Sequence, residues 1–145
     1  MKNKFLYGAL VAVLLIGVGV ILLINRSGPT TERPVLENVS PSSGSIGTEV
    51  TIRGSGFTST SNDIAFTHPE INFQERHTAY LSQLSSLDGK TLKFNLPDAL
   101  GACAYSQLNL NEACPEIGIL LPKGVVQISV INKNGTSGSV TFTVE

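Results

Sequence analysis

Few side chains of this 145-residue sequence have both the type and the spacing to do chemistry. Cys103 and Cys114 are its only cysteines. In an oxidising compartment an even pair of this kind is most simply a disulfide. Closing a loop of about 12 residues contributes roughly 3 kcal/mol in the chain-entropy model, and it would order the segment Ala104–Ala113. Two free buried thiols are the alternative. A redox or metal role stands behind both, because C-x10-C matches neither zinc-ligand nor thioredoxin spacing.

His68, Glu70, Glu75 and His77 form a second group. Two imidazoles and two carboxylates are suitable zinc ligands. Their spacing is not the i, i+4 pair of a zinc-protease helix, and scattered polar residues of a loop are the simpler explanation. Gly54-Ser55-Gly56 has the beginning of a dinucleotide loop, but Thr58-Ser59 stand where the third glycine belongs and no helix pattern follows. A strand-end turn is the expectation there. Asp63, Asp88 and Asp98 lie beside turn residues, where an aspartate serves the backbone. No serine has an identifiable His and Asp partner. The expectation is a chain without catalytic residues, metal or cofactor.

The elements that position these residues divide sharply. Phe5–Ile24 is a run of 20 residues without a charge. As a helix it would rise about 30 Å, the thickness of a bilayer's hydrocarbon core. A cleaved signal peptide is the alternative, but its apolar core is shorter and ends at small residues. Here the small pair Gly17 and Gly19 lies inside the run, which ends at Asn25-Arg26. Lys2 and Lys4 in the short end 1–4, with the α-amino group, favour a cytoplasmic N-terminus and an outward-facing remainder. The expected location is the cell membrane, single-pass, with the lipid bilayer itself as a partner. Residues 25–33 mix Gly, Pro and hydroxyl residues without period, as a juxtamembrane linker does. Residues 25–145 hold 8 basic against 11 acidic side chains, a formal charge of −3. That balance gives no basic surface for nucleic acid.

From Pro34 onward the pattern is alternation. Val50 and Ile52 face one way and Thr51 and Arg53 the other; Leu92, Phe94 and Leu96 alternate with Lys93 and Asn95. Val126, Ile128 and Val130 share a face, as do Val140, Phe142 and Val144. With Val35–Val39 and Ile64–Phe66 this gives six or seven short strands bounded by turn residues. The fold class is all-β, an immunoglobulin-like β-sandwich of about seven strands after one N-terminal transmembrane helix. Asn132–Gly135 reads as the turn of a closing hairpin. Between Pro69 and Leu87 periodicity fits either a strand pair or a short helix through Tyr80, Leu81, Leu84 and Leu87.

Residues 40–57, SPSSGSIGTEVTIRGSGF, resemble the start of an IPT/TIG domain, the immunoglobulin-like module shared by plexins, some transcription factors and many bacterial surface proteins. In that segment Pro41 and Gly44 belong to a turn after the first strand, and Gly47 opens the second. Gly54 and Gly56 let the chain turn before Phe57 enters the core. The segment from Gly124 through Gly135 to Val144 looks like the family's closing hairpin. The resemblance covers residues 34–145, with extra length near residues 67–80 and an insertion at 98–118.

The resemblance implies a binding or spacing module and not a catalyst. An acidic, membrane-anchored copy is not expected to bind DNA as some relatives do. A protein partner at the membrane surface, in an adhesion, envelope-complex or receptor-like role, is the leading expectation. The insertion is its distinctive surface, with Tyr105, Gln107, Asn109 and Asn111 as candidate contacts. A tethered carbohydrate-binding module is the alternative, weakened because Trp is absent and only Tyr80 and Tyr105 offer stacking faces outside the anchor. A passive spacer is the third. Asn25, Asn38 and Asn134 begin N-x-S/T triplets at the number chance supplies. Mass spectrometry of the unreduced, alkylated protein is expected to find both thiols protected; full alkylation without reductant would refute the pairing.

Overall fold

Alternating apolar and polar side chains build two facing sheets. The computed structural model describes residues 32–108 and 113–145. The expected membrane helix, residues 5–24, lies outside them, as does most of the linker. Among the described residues no helix is long and apolar enough to cross a membrane.

The strands, in chain order, are β1 (Val35–Ser40), β2 (Ser43–Gly44), β3 (Glu49–Ser55), β4 (Asn62–Thr67), β5 (Thr78–Leu84), β6 (Thr91–Asn95), β7 (Ala99–Leu100), β8 (Ile119–Leu120), β9 (Gly124–Asn132), β10 (Gly135–Thr136) and β11 (Val140–Val144). One sheet has the order β1-β3-β6; the other has β2-β11-β9-β4-β5, with β10 on β9. Seven strands are five residues or longer and correspond to the expected seven. The other four are two-residue pieces, too short to show a period in sequence. Segment 78–84 resolves as a strand, and Leu87, the last residue of the helical alternative, is fully exposed.

The alternation has its expected consequence. Val50, Ile52, Leu92 and Phe94 of one sheet pack against Ile64, Phe66, Val126, Ile128, Val130 and Phe142 of the other. The rings of Phe66 and Phe94 meet edge to face at 6.1 Å across the gap. In β1 the apolar residues Leu36 and Val39 stand three apart, which would place them on opposite faces of a regular strand. The ladder with β3 is shifted between Leu36 and Asn38, so the extra residue lets both side chains pack on the core. After β1 the chain changes sheets at Pro41, which follows a cis peptide bond. β2 then runs parallel to β11. The expected turn is therefore a crossing from one sheet to the other.

A buried amide pair closes one end of the sandwich. The Asn62 Oδ1 accepts the Thr58 N–H at 2.9 Å and the Thr58 hydroxyl at 3.0 Å, and its Nδ2 donates to the carbonyls of Thr58 and Leu84. The Asn132 Nδ2 donates to the Gly56 carbonyl at 3.0 Å and to Asn62 Oδ1 at 3.2 Å. Both amides are buried and fully engaged, so they tie the end of β5 and the β9–β10 turn to the residue that starts β4. Removing the Asn62 amide breaks five hydrogen bonds at once. Asn62→Ala is expected to lower the free energy of unfolding by about 3 kcal/mol in urea denaturation; a change under about 0.5 kcal/mol would contradict this role.

Candidate functional site

In β4, Ile64 and Phe66 point into the core, so strand geometry sends Asp63, Ala65 and Thr67 to the opposite, outer face. An outer face on an antiparallel sheet is ordinarily wet. Here Asp63 has no exposed surface, and Ala65 and Ile131, its neighbours on β4 and β9, are buried without belonging to the inter-sheet core. The insertion covers them: a single 3-10 turn, Tyr105–Gln107, lies against β4, β5 and β9.

The insertion is built in steps. Its outgoing and returning arms pair as β7 and β8, Ala99 with Leu120 and Leu100 with Ile119. Leu100 and Leu121 are buried in the core and root this neck. The next residue, Gly101, exchanges both backbone hydrogen bonds with Tyr80 of β5 at 2.8 Å, which carries the insertion onto the free edge of the sheet. The Ser82 hydroxyl donates to the Cys103 carbonyl at 3.1 Å. Cys103 and Cys114 are joined in a disulfide, their Cα atoms 6.0 Å apart.

The Asp63 carboxylate fixes the turn on the sheet. Its Oδ2 accepts the Ser106 N–H at 2.7 Å, and its Oδ1 accepts the Gln83 N–H at 3.0 Å. Gln83 can donate because the β4–β5 ladder is shifted between Asn62 and Ile64, with Gln83 at a φ of 66°. A bulge of this kind turns a backbone group out of the ladder. Two charge-assisted bonds thus offset the burial of a carboxylate. One side chain therefore sets both the bulge in β5 and the seat of the insertion.

The model of the IPT/TIG domain matches residues 34–144, the whole of this sandwich. The chain belongs to the IPT/TIG domain family. That is a family of non-catalytic immunoglobulin-like modules. A comparison with curated proteins gives no match. Among solved structures, the crystal structure of Gamma-CGTase from alkalophilic Bacillus clarkii is similar, with 26% identity over 83% of this chain and a TM-score of 0.45. The chain spans 13% of that protein's length.

The residues that carry the IPT/TIG resemblance serve the sandwich and not the insertion. Gly47 and Gly56 hold left-handed backbone, at φ of 90° and 71°. Gly54 does not turn as expected; it continues β3, and a Cβ there would overlap the Val35 carbonyl of β1, so its glycine is needed for close approach. Phe57 is buried in the core and Gly135 turns the closing hairpin. Of the candidate contacts, Tyr105 and Gln107 are exposed on the docked turn, whereas Asn109 and Asn111 lie outside the described residues.

His68, Glu70, Glu75 and His77 belong to the hairpin loop between β4 and β5. The His68 Nδ1 accepts the Glu70 N–H at 3.2 Å, and the His77 Nδ1 bonds the Ile71 carbonyl at 2.9 Å. Among the described residues no three His, Cys, Asp or Glu side chains are grouped to hold a metal ion. Asp88 caps the β5–β6 turn as expected, accepting the Lys90 and Thr91 N–H groups, each at 2.8 Å, and the Thr91 hydroxyl. Those donors, the Lys90 N–H foremost, hold its carboxyl well below the usual carboxylate range. The stability they contribute is present above that usual range and is lost as the pH falls through the lowered value.

Asp63 is the residue that sequence reasoning missed. It sits beside Asn62 and looks like a turn aspartate, yet it lies within a strand. Asp63→Ala is expected to cost about 3 kcal/mol, because two hydrogen bonds to a buried carboxylate are lost. It should also open Tyr105 to chymotrypsin. The double variant Cys103→Ser/Cys114→Ser should keep Tyr105 protected, since the Gly101, Ser82 and Asp63 contacts do not pass through the disulfide. Equal cleavage of the two variants would contradict this division of roles.

Proposed function

We propose that the chain is a membrane-anchored, non-catalytic module that displays its IPT/TIG domain outside the cytoplasm and contacts a protein partner through the insertion. The uncharged run Phe5–Ile24 supports the anchor, and Lys2 and Lys4 before it support the orientation. The observation that carries the reading is the docking of the insertion. A passive spacer needs no loop held by a neck, a strand-edge pairing, a buried carboxylate and a disulfide. These contacts give the turn that bears Tyr105 and Gln107 a fixed place. Ordering such a surface before binding removes part of the entropy loss of association. Tyrosine presented in this way is also a residue type that carries interface energy.

Membership in the IPT/TIG family agrees with a non-catalytic module. The paired cysteines agree with an oxidising compartment. Two measurements test the reading. Protease added to intact cells is expected to remove the domain and leave the anchor; complete protection would place the domain inside. A photoreactive amino acid at Tyr105 of the full chain should crosslink a defined protein in membranes, and the same group at Ile46, on another exposed part of the domain, should not. No crosslink from Tyr105, or binding of the chain to a glycan array lost on Tyr105→Ala, would overturn the proposal.

A further inference from the structure

A cleft of about 200 Å³ opens between β5 and the insertion, lined by Arg76, Tyr80, Cys103, Ala104, Gln107 and Leu108. Pockets for small molecules usually run to about 300–1,000 Å³, so this one has room for a single side chain. Its lining is rich in donors. Arg76 brings a guanidinium with five N–H groups and no acceptor, Gln107 an amide NH2 and Tyr80 a phenolic O–H. Arg76 is exposed, and among the described residues the ion pair is Lys93 with Glu49, which leaves the guanidinium without a carboxylate there. Ala104 and Leu108 add an apolar wall beside these donors.

We propose that this cleft receives one carboxylate side chain, a glutamate or aspartate, of a protein partner. A planar guanidinium pairs with a carboxylate through two parallel hydrogen bonds, and the apolar wall suits the methylene stem behind it. The positive cleft lies on a part of the chain, residues 25–145, whose formal charge is −3, so it selects a local acidic group on the partner and not an acidic partner as a whole. A sugar acid fits less well. Its ring needs an open aromatic face, and the one aromatic residue here, Tyr80, is half-buried. The inference deepens the proposed contact through the insertion and rests on it. It also assigns Arg76, on the β4–β5 loop, to the same surface as Gln107.

The test uses the full chain in detergent micelles with N-acetyl-glutamate N-methylamide as the probe. Saturable amide shifts at Arg76, Tyr80, Ala104 and Gln107 are expected in nuclear magnetic resonance spectra. The glutamine counterpart should give none. Arg76→Gln should weaken the probe by about tenfold or more, and Arg76→Lys by less, because a lysine keeps the charge without the fork. Absence of localised shifts, equal binding of the glutamine compound, or tighter binding of glucuronate would each overturn the proposal. Crosslinking from position 105 in the Arg76→Gln chain separates the two readings. A partner captured as well as by the parent chain overturns the carboxylate cleft and leaves the contact surface standing. A partner captured by the parent and lost in the variant supports both.

Discussion

The insertion keeps its place because one carboxylate is buried beneath it. Asp63 occupies a position where the outer face of β4 would meet water, and its two oxygens take N–H groups from β5 and from the insertion. An uncompensated carboxylate in that environment would be strongly unfavourable. The bulge in β5 and the turn at Tyr105–Gln107 are the two features that supply its donors. Each has a backbone N–H directed at the carboxylate, so neither is an independent decoration of the sandwich. Around this point the remaining contacts agree: the β7–β8 neck is rooted in the core, Gly101 extends the sheet edge, and Cys103 is held by Ser82.

The sandwich below supplies the rigidity that such an arrangement needs. Phe66 and Phe94 join the two sheets, while Asn62 and Asn132 fix the end from which Asp63 departs. Asn62 and Asp63 are consecutive and face opposite environments, one closing the end of the core and the other holding the insertion. The family's motif residues all lie in this framework. In the proposed reading, recognition is separated from stability, as on other folds where a scaffold presents variable loops. The insertion can change in sequence without disturbing the glycines and the core that define the IPT/TIG domain.

The framework is largely legible in the sequence because half-buried strands write their burial as a period of two. Alternation alone puts Val126, Ile128 and Val130 on one face, and the hairpin at Asn132–Gly135 follows from its turn residues. The strand at Thr78–Leu84 is less legible, since Leu81 and Leu84 are three apart and the bulge between them breaks the alternation. The site is legible only in outline. The cysteine pair marks the insertion, and Tyr105 and Gln107 lie on its surface. Asp63 is hidden, because a buried carboxylate on an outer face is decided by a loop some forty residues away. Arg76 is hidden for the same reason: nothing local connects the β4–β5 loop to the insertion. Gly54 is a subtler miss, a glycine needed for proximity to β1 and not for a turn.

The account depends most on the bond between Asp63 and Ser106, and amide hydrogen exchange at Ser106 in the full chain measures it directly. Ser106 lies in a short turn outside any strand ladder, so without the carboxylate its N–H would exchange at the rate of an exposed loop. The account predicts that the Ser106 and Gln83 amides exchange as slowly as the ladder amides of β4 and β9. Rapid exchange at Ser106 while those ladder amides stay protected would contradict it, because the insertion would then not be held on the sheet by Asp63.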